Sequence, residues 1–579
     1  SETAGFIDNL DPDEPDFNTA ESTGGRAVLK YEGDNYSVTG SYYLQDQETF
    51  GNNATFADGT PFEASSNRVP GLDPFSRDKT AVYSFIVDVD LGWANFQSMT
   101  SYVDRETTAI QETSASGFLG LDLYYGGSAG AANHPACTAA APHAYCPGGV
   151  FGPAGWPGFF NLGDPNATVA DGANLTGFNG FIDSYTKRTV QEFRLVSPGD
   201  ERLRWTAGFF WKDSEDKSGN KQSAIYAPGR ESFAVLFDPL LAVPANTHID
   251  ELEEYAIFGE VSYALTDQWE ITVGLRYSDL EQYFRNTDSN TDDNPIAPKL
   301  VLSWRPNDDL MAYFNYAKGF RPGNINGHMK FVATQYEALI ATAEGLGNDT
   351  SQLVFERDQA LTRYFFDGDE VESFELGVKT TLFDGRLDLS AALYRINWDD
   401  MIVVHRDILI SNPLGIYNHN SGGAEIQGIE IDLRAFLTER LSVSLAGDSN
   451  DSEVTGASIS AATSPGQYSA KGNEMSYSPP KSLTAMVDYV MPFNNGWTLA
   501  LHADYAKVDE QWRDAGNTAT LPSYKRMGAR ATLHSADQKW RIALYGTNVT
   551  NEEILRNIEG ANFYWMPPRQ VGLEVGYTM

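Results

Sequence analysis

The sequence predicts an all-β fold, a single large antiparallel transmembrane β-barrel. Three observations predict it: side chains that alternate apolar and polar every second residue, connections that alternate short and long, and tryptophans gathered at the short ones. Trp269, Ile271, Val273, Leu275 and Tyr277 alternate with Glu270, Thr272, Gly274, Arg276 and Ser278. Tyr255, Ile257, Val261, Tyr263 and Leu265 alternate with Glu254, Ala256, Glu260, Ser262 and Ala264. Trp497, Leu499, Leu501, Ala503 and Tyr505 oppose Thr498, Ala500, His502 and Asp504, and Val571, Leu573, Val575 and Tyr577 oppose Gln570, Gly572, Glu574 and Thr578. Side chains of a strand point to opposite faces in turn, so each segment has one apolar and one polar face.

Placed along the chain, the pattern gives about nineteen strands: 25–32, 35–46, 77–89, 92–109, 184–197, 202–216, 251–265, 268–284, 295–305, 308–319, 371–383, 385–402, 421–436, 439–454, 475–491, 495–511, 520–534, 539–551 and 566–578. Short polar turns such as 32–35, 90–93, 266–268 and 383–386 join alternate pairs. Longer connections lie between them, at 47–76, 110–183, 217–250, 285–294, 320–370, 406–420, 452–474, 512–519 and 552–564. Short turns at one end and long loops at the other are the pattern of outer-membrane barrels, whose long loops face outward from the cell. A propeller would repeat a self-similar unit of about 40 residues, and no such repeat is found. Of 11 Trp, Trp93, Trp205, Trp269, Trp304, Trp497 and Trp540 sit at or near short turns. Amphipathic rings prefer the headgroup level, so one girdle of Trp fits a membrane and has no purpose in a soluble sandwich.

Composition agrees. With 579 residues the chain could fill three or four soluble domains or one very large barrel. No apolar run reaches the length a spanning helix needs, about twenty residues. A spanning strand needs only about 9–11 residues, apolar at alternate positions, so the 41% hydrophobic content does not exclude a membrane. The 29 Tyr and 32 Phe favour strands. A net charge of -38 argues against nucleic acid as a partner, since no basic stripe could neutralise phosphates. The chain opens at Ser1 with no basic and apolar leader, so no signal peptide is read in it and the compartment is inferred from the fold.

No catalytic constellation is found: there is no G-x-S-x-G, H-E-x-x-H, P-loop or C-x-x-C. The chain is therefore read as not an enzyme and as holding no resident cofactor. Asp399 and Asp400 are neighbours on a strand, so they point to opposite faces and cannot share a site. Asp288, Asn290, Asp292 and Asp293 resemble a calcium loop, but the glycine and glutamate an EF-hand needs are missing. The two cysteines, Cys137 and Cys146, read as a local disulfide pinning an exposed loop, by roughly 2.5–3 kcal/mol of loop closure. The alternative is a reduced couple. His134 and His143 nearby make an incomplete zinc set.

Candidate ligand-binding residues lie in the loops. Loop 110–183 carries Tyr124, Tyr125, Trp156, Phe159 and Phe160. Loop 320–370 is expected to hold a helix near 332–345, with Val332, Tyr336, Leu339 and Ile340 at helical spacing. Long loops are either functional or disordered. They could pack on one another as a protective canopy, or close over a ligand arriving from outside. Arg276 on the inner wall and Arg321 at a strand end could meet an anionic ligand, although charges in the lumen are ordinary.

Five segments, in order, resemble the barrel of TonB-dependent outer-membrane receptors. They are Tyr313–Gly323, closing on G-F-R-P-G; Ala391–Asp400; Asn420–Ile431, like N-x-G-x-A-x-x-x-G-x-E; Tyr545–Glu552; and Pro568–Gly572. They cover roughly the last 280 residues closely and the rest loosely. The resemblance implies 22 strands around an N-terminal plug, which would make 25–32 the fourth strand and leave three strands and the plug missing. Gly5–Asn9 then resembles part of the loop between strands three and four, so 1–24 reads as a partial extracellular loop and 25–579 as barrel. Family barrels usually end in Phe, whereas this chain ends Tyr577-Thr-Met579. The implied function is energised uptake of a scarce small-molecule nutrient, foremost a ferric siderophore, with cobalamin, haem and glycans as alternatives. The implied partners are a TonB-type energy-coupling protein, acting through the plug, and the outer-membrane lipid. Other readings are a passive channel or scaffold without motor coupling and a soluble β-rich enzyme. The resemblance further implies that strand 25–32 and strand 566–578 lack their natural neighbours and leave a gap.

Overall fold

The computed structural model describes residues 2–3, 5–10, 13–51, 54–55, 63–64, 75–112, 137–138, 141–142, 175–199, 201–226, 247–406, 416–456, 471–559 and 562–578. Nineteen long strands carry the fold, one for each predicted segment. They are β1 Ala20–Glu32, β2 Tyr36–Phe50, β3 Phe75–Asp90, β4 Asn95–Glu112, β5 Leu175–Val196, β6 Leu203–Tyr226, β7 Thr247–Ala264, β8 Trp269–Phe284, β9 Ile296–Asn307 and β10 Leu310–Arg321. After two helices, α1 Gly327–Gly345 and α2 Ser351–Thr362, follow β11 Asp369–Leu382, β12 Leu387–Asp399, β13 Gly423–Phe436, β14 Leu441–Val454, β15 Lys481–Pro492, β16 Thr498–Val508, β17 Tyr524–His534, β18 Trp540–Thr547 and β19 Gln570–Tyr577. Each pairs antiparallel with the next in one continuous meander, β8 with β9 included. Among the described residues no helix is long and apolar enough to cross a membrane.

Strand ends depart from expectation for identifiable reasons. β5 and β6 run outward past their predicted limits, because their ladder continues through residues such as Asn179, Gly180, Lys217 and Ser218 that show no apolar face. β15 starts at Lys481 rather than 475, after Pro479 and Pro480, which have no N–H to give a ladder. β12 stops at Asp399 because Asp400 turns to a φ of 52°. Residues 402–406 then pair with 416–420 as a separate hairpin.

Register fixes the faces. Directly opposed residues share a face, and Val273 stands between Val261 and Leu300, while Tyr277 stands between Ile257 and Ile296. Val273 and Leu275 are each 53% exposed, as lipid-facing side chains are in the absence of lipid. The other face carries Glu270, Thr272, Arg276 and Ser278, and its charges pair across strands: Arg276 with Glu254 at 2.7 Å, Lys299 with Glu260 at 2.8 Å, Arg204 with Glu270. His502 and Asp504 lie on this face too, with His502 Nδ1 at 2.8 Å from Asp488 and Nε2 at 3.6 Å from Asp504. The predicted register therefore holds, with no one-residue slip.

The outward face changes character along β8. From Trp269 to Tyr277 it is apolar; beyond, it carries Asp279 and Glu281, and the inward face becomes apolar at Leu280 and Phe284, both buried. Eight steps at about 3.4 Å, tilted by 35–45°, span roughly 20 Å, near the ~25 Å apolar band of such barrels. At the short-turn end Trp93 lies 6.3 Å from Trp205, Trp269 5.9 Å from Trp304, and Trp540 4.8 Å from Tyr577, ring to ring. This is the expected girdle.

In the sheet order β19 stands beside β1, and Glu2 and Thr3 pair with Glu21 and Ala20 at the outer end of β1. Leu29 on β1 is 82% exposed and Leu573 on β19 is 70% exposed. Above this seam the outer loops do meet: Phe563 and Tyr564 pair with Thr55 and Ala54.

Candidate ligand-binding site

The loops that end on β8 to β13 are knitted into one cap at the outer mouth. α1 forms because Met329, Val332, Ala333, Tyr336 and Ile340 recur at helical spacing and bury one stripe. The helix starts five residues before its predicted limit of 332. α2 supplies Ala360, and Tyr364 and Tyr417 complete the core. Buried Asn326 is the central tie: its Nδ2 donates to Arg363 O at 2.7 Å and Asn418 O at 2.8 Å, while its Oδ1 accepts from Asn418 N at 2.7 Å. Tyr364 donates to Ser289 Oγ at 2.6 Å, and Lys330 donates to Thr287 O, so the β8–β9 connection is held as well.

Arg321 sits at the outer end of β10. Its guanidinium is spent on buried Asp369, and it also reaches Ile402 O at 3.3 Å and lies 5.6 Å from the Trp398 ring. Asp369 further accepts from Trp398 Nε1 at 2.9 Å and Ile402 N at 3.0 Å. Arg276 is on the inner wall of β8, paired with Glu254 and stacked 4.8 Å from Phe210. The two arginines thus stand on separate elements, each with its own carboxylate. Tyr124, Tyr125, Trp156 and Cys146 lie outside the described residues, and so does the predicted disulfide; Cys137 itself is in a two-residue bridge to Pro142. The calcium-like residues serve as acceptors: Asp293 takes Gly323 N at 2.8 Å and Asp288 takes the Tyr283 hydroxyl at 3.2 Å. Among the described residues no group of three or more such ligands converges.

Between wall and cap lies a cavity of about 310 Å³, bordered by Ser218, Asp250 and Phe284 of the wall and by Asn324, Val404 and Asn418 of the cap. Asp250 stands opposite Phe284 in register, beyond the lipid-facing band. Burial, and secondarily Asp216 beside it, push its carboxyl up to about 6. Across the cap, burial and then Arg363 lower His419 from the ordinary histidine range. Sequence reasoning missed Asp250, Asp369, Asn326 and Asn418; none has a local signature, since each acts through partners distant in the chain.

The family model for "TonB dependent receptor-like, beta-barrel" matches residues 2–549. The chain belongs to this family. As a receptor barrel it resides in the outer membrane, in a family of receptors and transporters rather than enzymes. It is 24% identical over 333 residues to a probable TonB-dependent siderophore receptor, PiuA, of Acinetobacter baumannii, covering 56% of this chain and 39% of that protein. It is 23% identical over 333 residues to the metal-pseudopaline receptor CntO of Pseudomonas aeruginosa, covering 55% and 39%. The barrel therefore spans about two fifths of the curated relatives it matches. Among solved structures, the ferric yersiniabactin uptake receptor FyuA of Yersinia pestis superposes with a TM-score of 0.67 at 13% identity, over 100% of this chain and 74% of that one. The crystal structure of PiuA superposes with a TM-score of 0.65 at 14% identity, over 97% and 74%. These likenesses establish the fold of the barrel.

Proposed function

We propose that this barrel belongs to an energised importer that takes a scarce chelated nutrient, foremost a ferric siderophore, across the outer membrane. The observation that carries the reading is the relationship to receptors named for siderophores and metallophores. The capped outer mouth is consistent with it: β8 to β13 present a packed, hydrogen-bonded lid over a polar inner wall, where a water-soluble ligand could be held. The parent protein would carry a plug in the lumen and engage a TonB-type partner through it. Tyr124, Tyr125, Trp156, Arg276 and Arg321 remain the proposed ligand contacts, with Cys137–Cys146 pinning loop 110–183, which carries the first three. The two arginines would act from within their ion pairs.

The test is uptake of radiolabelled iron by iron-starved cells lacking their own receptors and expressing the parent protein, across a panel of ferric siderophores. Uptake of one chelate that stops when the inner membrane is de-energised is the expected result. Uptake unaffected by de-energising would overturn the reading in favour of a passive channel. Uptake of haem or cyanocobalamin alone would overturn the siderophore assignment.

A further inference from the structure

The cavity between β7 and the cap holds a carboxylate, that of Asp250. Among the described residues, the Asp250 side chain makes no ion pair or hydrogen bond, and the nearest acid, Asp216, adds a second negative charge. Most cations on the neighbouring elements are committed elsewhere, and Lys212, four residues from Asp216 on β6, stands opposite Glu254 in register. Arg285 is paired with Glu215 and Glu251, Lys217 with Asp183 at 2.6 Å, and Arg276 with Glu254. On the cap, Lys330 donates to Thr287 O and Ser289 Oγ, and Arg363 lies 5.2 Å from the Tyr417 ring. Arg188 points to Asp216 at 3.8 Å rather than to Asp250. The remaining lining offers oxygen acceptors and the apolar side chains of Phe284, Ile325 and Val404, and includes no Lys or Arg.

A half-buried, unpaired carboxylate is costly to keep ionised, and a cation brought to it recovers a charge-assisted hydrogen bond in a site already partly dry. The volume of about 310 Å³ holds about ten water-sized groups at roughly 30 Å³ each. We infer that this cavity is a subsite for a cationic group, an ammonium or guanidinium, carried on a small ligand that enters from the cell exterior. The subsite rests on the proposed reading of the capped mouth as a ligand-binding vestibule. A ligand seated there touches both β7 and the cap, so its binding also fastens the cap to the wall.

The start of α1 borders the same cavity at Gly327, and a helix N-terminus favours anions. The experiment separates the two possibilities. Agmatine, which has about ten heavy atoms and carries both cationic groups, is titrated calorimetrically into the detergent-solubilised barrel at pH 7.5, with glutarate as the anionic probe. Agmatine binding is expected, with glutarate inert. Asp250→Asn should weaken agmatine at least tenfold, and so should Val404→Trp, which fills the cavity and leaves the carboxylate in place. At pH 5.0 the affinity should fall roughly tenfold, as Asp250 protonates. The other titratable and charged groups facing the cavity's surroundings are Asp216, Lys212, Glu254 and Arg188 on the wall and His419, Arg363 and Lys330 on the cap. The pH effect should therefore vanish in Asp250→Asn. Full agmatine affinity in Asp250→Asn, competition by glutarate, or no agmatine binding to the unaltered barrel would each overturn the inference. A protein that imports iron but ignores agmatine refutes only the cation subsite. One that binds agmatine but imports nothing refutes only the importer.

Discussion

Replacing Asp369 with Ala should unfasten the cap without unfolding the barrel. The carboxylate is 3% exposed and accepts from Arg321 Nε at 3.1 Å, Arg321 Nη2, Trp398 Nε1 at 2.9 Å and Ile402 N at 3.0 Å. Removing one partner of a buried ion pair costs about 3–5 kcal/mol. Here the Arg321 side chain is 51% exposed and can recover water, which places the cost at the lower end. The Trp398 and Ile402 donors lose a partner worth about 1–3 kcal/mol each where water does not replace it. A loss of about 3 kcal/mol at this junction raises the opening equilibrium of hairpin 402–420 about 100-fold, since 1.4 kcal/mol is a factor of ten. Hydrogen exchange of the Ile402 amide and of 416–420 reads this directly, with β12 and β13 as internal references. Asp369→Asn keeps an acceptor oxygen but no charge, and should fall between. Unchanged protection at Ile402 in Asp369→Ala would refute the role assigned to this carboxylate.

Three further perturbations test the rest of the structure. Gly428→Ala places a methyl 2.6 Å from Tyr394 Oη and 2.7 Å from Ser449 O, so it should cost about 1–3 kcal/mol in urea unfolding, whereas Gly40→Ala meets nothing within 4 Å and should lie within ~0.5 kcal/mol of the parent. Equal midpoints for the two would remove the close-packing argument. Val273→Arg sets a charge in the lipid-facing band and should lose about 2–4 kcal/mol in lipid vesicles; a neutral result would mean that the register is inverted. His419, whose proton affinity burial and then Arg363 lower, contributes full stability above its ordinary pKa of about 6.5 and loses it as the pH falls below that, because the opened cap protonates first. Exchange of 416–420 should therefore quicken from pH 7.5 to 5.5, after correction for intrinsic rates, in an Asp250→Asn background that removes the opposite contribution of that acid. His419→Gln should abolish the difference, and its persistence would assign the effect elsewhere.

What could be read from the sequence follows from which interactions are periodic. The lipid solvates one face of every strand and the lumen the other, so β8 had to alternate, and the phase of Trp269 to Tyr277 fixed Arg276 and Glu254 on the same inner wall before any coordinates. The short turns and the Trp pairs at 269 and 304 are likewise dictated locally, by the headgroup level. Above the membrane that constraint ends. There the outward face of β8 becomes Asp279 and Glu281 while Leu280 and Phe284 turn inward, and β5 and β6 extend on backbone pairing and ion pairs such as Lys217–Asp183. The cap is specified by single long-range ties: Asn326 to Asn418 across 92 positions, Arg321 to Asp369 across 48. An asparagine before a helix looks like an ordinary cap, yet the Asn326 side chain makes no capping bond and joins two loops instead. Arg321 read as a free cation because its partner lies beyond two helices. Only α1, whose apolar stripe is itself periodic, announced itself, whereas α2 packs on the cap through little more than Ala360 and Leu353 and left no pattern to find. Asp250 carries the same lesson to the candidate site. Its neighbour in space, Asp216, is 34 positions away, and the cap residues above it come from two different connections, so the missing counter-charge is visible only once they are folded together.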